Sequence, residues 1–220
     1  MKRPTIYLYF IFAVLFFTGR AQDFNDDAAI WLGIKVEKKI SKPFAVYLKH
    51  QSRFNDNLNS YSLSYLDLGA SYKLNKHVKL IAGAVLSRKD PFYELYQNRQ
   101  RYYGSVNLKV NIKNFELSYR NQTQVQVKHQ KGIEYEIYNR NKLSCEYELN
   151  KRISLTLSEE LYLPLNYRDQ IFIDRARSYV SCTYVINKKQ SLEPYFLYQT
   201  RFITSNNRDF VYGINYSFSF

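Results

Sequence analysis

The chain has 220 residues, with 32 Lys and Arg against 19 Asp and Glu, a formal charge of +13 and a mean hydropathy of −0.45. Beyond the N-terminus no apolar run approaches the roughly 20 residues that a spanning helix needs, which excludes a helical membrane bundle. The positive excess points toward anionic partners such as lipopolysaccharide head groups or other acidic polymers, and equally toward lysines placed in turns for solubility.

The first element is a secretory signal peptide over residues 1–21. Lys2 and Arg3 form a basic start, Ile6 to Phe17 is an apolar run, and Thr18-Gly-Arg-Ala21 offers a small-residue cleavage site. A run of about twelve residues is too short to span a bilayer as a helix. Cleavage would remove Lys2, Arg3 and Arg20 and no acid, lowering the +13 to +10. Export argues against nucleic acid as a partner.

From there the chain alternates large apolar with small or polar residues at the strand period of two. The pattern predicts eleven strands: Ala29–Ile40, Phe44–Arg53, Tyr61–Leu74, Val78–Arg88, Arg101–Ile112, Phe115–Lys128, Tyr135–Leu149, Ile153–Leu163, Phe172–Ile186, Ser191–Phe202 and Phe210–Phe220. Short turns rich in Asn and Lys join alternate pairs: Ser41-Lys-Pro43, Asn75-Lys-His77, Lys113-Asn114, Asn150-Lys-Arg152 and Asn187-Lys-Lys189. The connections at the other end are longer. Short turns on one side and long loops on the other suit an outer-membrane barrel, as do 22 Tyr and 15 Phe available for aromatic girdles. An odd count breaks the even-number habit of bacterial barrels, so a short strand near Asp23–Ala28, a segment outside the sheet, or an unusual closure is implied.

Each strand has an apolar and a polar face. With the apolar faces outward, the lumen receives long charges of both signs, among them Lys35 and Glu37, Arg53, Asp67, Arg101, Glu116 and Arg120, Arg140, Glu146, Glu160, Arg175 and Arg177, Glu193 and Arg201. In a barrel of this size such side chains largely fill the interior, and buried charges must pair. This is a structural plug of ion pairs, or else a narrow polar path or binding cleft. A soluble sandwich would turn the same alternation the other way, and periodicity alone does not distinguish the two.

Residues with chemical potential are few. Three His, at 50, 77 and 129, lack metal-ligand spacing, so neither a metal nor another cofactor is expected. Ser52 shares a strand face with His50, but there is no GxSxG, P-loop or GxGxxG, and no catalytic residue is assigned. Cys145 and Cys182 fall on strands seven and nine. One intervening strand separates them by about 9–10 Å, too far for a disulfide, so both are expected free on the apolar face. Tyr93, Tyr96, Arg99, Arg101 and Tyr102 lie in or beside the longest loop and could contact sugars or phosphates outside, or form part of an interface girdle.

The last stretch, Phe210 to Phe220, places Phe210, Tyr212, Ile214, Tyr216, Phe218 and Phe220 on one face and resembles the closing strand of bacterial outer-membrane barrels. That resemblance implies that the insertion machinery reads Phe220. The early Trp31, the repeated units Tyr72-Lys-Leu-Asn-Lys-His77, Tyr147-Glu-Leu-Asn-Lys-Arg152 and Tyr184-Val-Ile-Asn-Lys-Lys189, and Arg53 extend the likeness. From about Ala29 to Phe220 the chain resembles an uncharacterised outer-membrane barrel family, domain of unknown function 2490. The resemblance implies export and a membrane barrel, and no catalytic residues carry over from it.

The expected architecture is therefore all-β: an antiparallel transmembrane up-and-down barrel of about 10–12 strands over residues 22–220, after the signal peptide. The expected role is structural, binding or narrow-path transport in the outer membrane of a Gram-negative bacterium, with outer-membrane lipid and lipopolysaccharide as neighbours. The alternatives are an outer-membrane enzyme acting on lipid or lipopolysaccharide, and a secreted β-sandwich binding polysaccharide.

Overall fold

The computed structural model describes residues 25–89, 97–129, 133–166, 172–202 and 207–220. Residues 1–21, read from the sequence as a signal peptide, lie outside the described residues. Eleven strands follow one another: β1 Asn25–Lys39, β2 Phe44–Asn55, β3 Ser60–Lys73, β4 Val78–Lys89, β5 Gln97–Ile112, β6 Phe115–His129, β7 Ile133–Glu148, β8 Ile153–Pro164, β9 Arg175–Asn187, β10 Gln190–Arg201 and β11 Asn207–Ser219. Each pairs antiparallel with the next, and β1 pairs parallel with β11 to close a single barrel. A two-sheet sandwich is thereby excluded.

The parity question resolves at that seam. An up-and-down chain of eleven strands brings its first and last strands together running the same way, so they must pair in parallel. The residues suspected of hiding another strand near Asp23–Ala28 are instead, from Asn25 onward, the start of β1. Asn25 pairs with Asn207 at one end and Glu37 with Ser219 at the other. The seam is pinned twice: Arg208 donates Nε and Nη2 to the Asp26 carboxylate at 2.7 and 3.2 Å, and Phe220 exchanges backbone hydrogen bonds with Glu37 and Lys39 at 3.0 and 3.1 Å.

The Asn-Lys turns have a common chemistry. Asn75 Oδ1 accepts from the backbone of His77 and Val78 at 2.8 and 2.9 Å, and Asn150 Oδ1 from Arg152 and Ile153 at 2.8 and 3.0 Å. Asn187 does the same for Lys189 at 2.9 Å. Each Asn side chain satisfies the turn's backbone donors, which is why Asn recurs there. At the opposite end Asp56, Asn57 and Leu58 all take left-handed φ angles of 57°, 51° and 74° in the β2–β3 loop.

The period of two sorts the side chains. Leu32, Ile34, Leu68, Leu86, Val106, Leu108, Leu117, Leu143 and Leu157 all point outward and are exposed. Trp31, Ser105 and Ser158, next in the chain to Leu32, Val106 and Leu157, point inward and are buried, as are Gln122 and Tyr195 on the same inward register of their strands. The polarity is thus inverted relative to a water-soluble β protein. Twelve residues at about 3.3 Å each, tilted about 40°, give roughly 30 Å of height along the barrel axis. Aromatics gather toward both rims, Phe115 against Tyr147 (ring centroids 4.7 Å apart) at the short-turn end and Phe54 against Tyr61 (5.5 Å) at the other.

Inside, large rings lie over inward-facing glycines. A Cβ on Gly69 would sit 2.4 Å from Tyr47 Cζ, and one on Gly213 would sit 2.1 Å from Tyr195 Cζ. Beside the seam, Ala29, Trp31, Tyr195, Leu197 and Val211 form a small apolar cluster within the lumen. Arg53 and Arg177 stand over the tryptophan ring of this cluster.

Candidate functional site in the lumen

Strand register builds the site as rungs across the inner wall. Arg120 faces Lys142, Lys142 faces Glu160, Glu160 faces Arg177, Arg177 faces Gln199 and Gln199 faces Asp209 across β6 to β11. The next rung toward the long loops carries Gln122, Arg140, Tyr162, Arg175 and Arg201.

Glu160 is the hub, only 6% exposed. Arg120 Nη2 donates to its Oε1 at 2.6 Å. Arg140 donates Nη2 to both carboxylate oxygens, at 2.8 and 3.0 Å, and Nε to Oε1 at 3.1 Å. Arg177 Nη1 lies 3.8 Å from Oε2 and donates at 2.5 Å to the hydroxyl of Tyr162, which itself donates to Glu160 at 3.3 Å. A single carboxylate therefore serves three guanidinium groups, an arrangement in which charge-assisted hydrogen bonds offset the desolvation of the cluster.

Two rings act as platforms for the remaining charge. The guanidinium carbons of Arg140, Arg177 and Arg175 stand 4.4, 4.9 and 5.0 Å from the Tyr162 ring centroid. Those of Arg53 and Arg177 stand 3.6 and 5.5 Å from Trp31. These are cation–π distances. Arg53 Nε donates to Gln51 at 3.0 Å and Arg101 Nη2 to Gln126 at 2.8 Å, so the hydrogen-bond partners of these two cations are neutral amides.

The cavity enclosed by these residues measures about 800 Å³. Among the described residues its lining includes eleven Lys and Arg side chains and three carboxylates, Asp67, Glu136 and Glu160. All three are engaged: Asp67 accepts from Tyr103 at 2.8 Å, and Glu136 accepts from Lys128 and, at 2.8 Å, from Gln126. Tyr103 continues through its hydroxyl to Tyr47. A second cavity of about 430 Å³ lies toward the short turns and includes Lys49, Lys142, Glu146 and Glu193.

The other residues expected in the lumen fall as follows. Lys35 pairs with Glu37 at 2.7 Å within β1, and Glu116 with Lys109 at 2.6 Å. Glu193 accepts from Tyr179 at 2.8 Å and from Asn215 at 3.0 Å. Arg201 pairs with Asp209 at 2.8 Å, while Arg175 reaches Asp174 only at 3.8 Å.

The loop expectation needs correction. β5 begins at Gln97, so Arg99 is a strand residue lining the lumen, Arg101 lines it on the inward register its strand pattern predicts, and Tyr102 is an outward strand residue whose hydroxyl donates to Gln100 at 3.1 Å. Strand pairing with β4 continues to Lys89–Gln97, which shortens the loop. Tyr93 and Tyr96 lie outside the described residues. Asp209, placed in a loop by its sequence, belongs to β11 and is buried beneath Gln199 and Arg201. Gln126 and Lys128 line the lumen as their polar register predicts, whereas Trp31, Tyr162 and Glu136 were missed as lumen residues, although strand parity would have placed them there.

Outside the lumen, His50 Nε2 lies 2.9 Å from Ser64 Oγ across β2 and β3. The serine is on the next strand rather than at position 52. Among the described residues no cluster of three or more His, Cys, Asp or Glu could hold a metal. Cys145 and Cys182 are free thiols, each paired in register with an outward leucine of β8.

A search of curated proteins returned no match. Among solved structures, the chain is similar to the β domain of the Bordetella autotransporter BrkA, with 11% identity, a TM-score of 0.46, and coverage of 73% of this chain and 78% of that one. The family model described as protein of unknown function DUF2490 matches residues 28–210, and the chain belongs to that family.

Proposed function

We propose that the chain is an outer-membrane β-barrel of a Gram-negative bacterium, without a catalytic role, whose narrow cation-lined lumen admits small anions. The carrying observation is the inverted polarity of a closed barrel: apolar side chains outward over roughly 30 Å of height, the thickness of a hydrocarbon core, and cations in excess inside. Closure satisfies the strand backbone within the sheet, which is the condition for spanning lipid with strands. The aromatic rims suit the two membrane interfaces. Phe220, held in the seam, is the residue that the insertion machinery would read, and lipopolysaccharide would surround the outer leaflet.

The membrane claim is tested by fractionation and gel mobility. Recovery in the outer membrane, with a detergent-extracted band that shifts on boiling, supports it. A soluble protein with no shift contradicts it. The lumen claim is tested in planar bilayers under a KCl gradient. A small conductance with a chloride-favouring reversal potential is expected, and no conductance or a potassium preference contradicts it.

A second reading, an enzyme acting on lipid or lipopolysaccharide, is favoured by the His50–Ser64 contact on the outer face. A nucleophile and base of this kind need a third group to orient the imidazole. Phospholipid hydrolysis by the purified barrel that Ser64→Ala abolishes would establish this reading, and its absence would remove it.

A further inference from the structure

We propose that the long-loop half of the lumen is a binding site for a small oxyanion of the phosphate class, held by Arg53, Arg101, Arg140 and Arg175 around Trp31 and Tyr162. The proposal rests on the reading of the lumen as an anion-admitting space and gives that space a defined ligand chemistry.

Charge is the first argument. Eleven cations and three carboxylates line the cavity. Glu160 serves Arg120, Arg140 and Arg177, while Glu136 and Asp67 are engaged by Lys128 and Tyr103. Among the described residues no carboxylate contacts Arg53 or Arg101. Cations removed from bulk water need an opposite charge or full hydrogen bonding, and a soluble anion supplies both.

Unused donors are the second argument. The Nε atoms of Arg101 and Arg175, Trp31 Nε1 and Ser158 Oγ are buried without a hydrogen-bond partner. Trp31 and Ser158 are 5% and 7% exposed, and both line the cavity. Buried donors in native proteins are generally satisfied, so these mark where ligand oxygens belong.

Shape selects the ligand class. The arginines come from four strands, β2, β5, β7 and β9, around the barrel wall. A carboxylate presents its two oxygens in one plane, whereas a tetrahedral phosphate projects oxygens in three dimensions, which suits guanidinium groups that converge from different sides of the wall. The rings of Trp31 and Tyr162 hold the guanidinium groups of Arg53, Arg140 and Arg175 in place before the ligand arrives, which lowers the ordering cost of binding. The cavity volume of about 800 Å³ falls in the usual range of small-molecule sites.

The test uses the complete barrel, folded in an amine-oxide detergent that carries no phosphate and checked by its heat-modifiable band. Trp31 is the single tryptophan, so intrinsic fluorescence reports the site directly. Inorganic phosphate is titrated at constant ionic strength against chloride, with lysophosphatidic acid micelles as a separate arm. Expected is a saturable change with inorganic phosphate alone, weakened about tenfold or more by Arg101→Gln and by Arg53→Gln, with Lys109→Gln unchanged. A response confined to lysophosphatidic acid would keep the phosphate chemistry and assign its source to lipid. No saturable response, an equal response to chloride, or unchanged affinity in the arginine variants overturns the site. Should the variants fail to fold, calorimetric titration of phosphate into the unaltered barrel decides, and absence of binding overturns the proposal. A membrane-inserted, heat-modifiable barrel that ignores phosphate would sink this site and leave the outer-membrane reading standing.

Discussion

Arg53 lays its guanidinium 3.6 Å from the centroid of the Trp31 ring, while Trp31 itself is packed among Ala29, Tyr195, Leu197 and Val211. A cation in the lumen is thus held by an aromatic face and by the Gln51 amide. Trp31→Ala removes that platform and opens a cavity beside the seam. We expect a loss of about 3 kcal/mol of barrel stability, and about 1–2 kcal/mol for Trp31→Phe, which keeps a smaller ring under Arg53. Urea titration of the heat-modifiable band measures both, and equal stability of all three proteins would refute the platform.

Removing the carboxylate of Glu160 leaves Arg120, Arg140 and Arg177 without their shared counterion. Glu160→Gln should cost about 3 kcal/mol. Replacing Arg140 with Met in the same chain should recover part of that loss, because the two changes are coupled. Urea midpoints of the single and double variants test this, and simple additivity would contradict a shared cluster.

The inward glycines should tolerate no side chain where rings cover them. Gly69→Val would force Tyr47 from its seat, at a cost of about 1–3 kcal/mol. Gly104, on the outward register with nothing within 4 Å of a Cβ, should accept Val with little change. The contrast between the two urea midpoints is the measurement.

Much of this site was legible from strand parity. Arg120, Arg140, Glu160 and Arg177 are inward because each sits on the polar register of an amphipathic strand, and Cys145 and Cys182 lie apart because one strand intervenes. The odd strand count raised an unusual closure as one of three readings, but it did not select the parallel seam, since pairing between the two ends of a chain leaves no local pattern. The aromatic platforms were hidden for another reason: Tyr162 and Trp31 read like any girdle aromatic among 22 tyrosines. The position of Arg99 was blurred because β5 runs past its apolar alternation into Gln97-Asn-Arg-Gln100, which reads as loop by composition.

The parallel closure makes its own prediction. In a chain with Cys145 and Cys182 replaced by Ser, the pairs I30C/Y212C and I34C/Y216C should each form an intramolecular disulfide on oxidation, since both are register partners across β1 and β11. An antiparallel seam could bring at most one of these pairs together. Non-reducing gels and mass spectrometry distinguish the two.

The central claim is that the barrel turns its apolar side chains to lipid and its cations to a watery lumen. The most direct measurement is a nitroxide scan along β5 from Tyr103 to Val110, in the cysteine-free barrel reconstituted in lipid. Val106, Leu108 and Val110 should show high collision with oxygen, which concentrates in lipid, whereas Ser105, Asn107 and Lys109 should favour a water-soluble nickel complex. The opposite phase, or no alternation at all, would contradict the account.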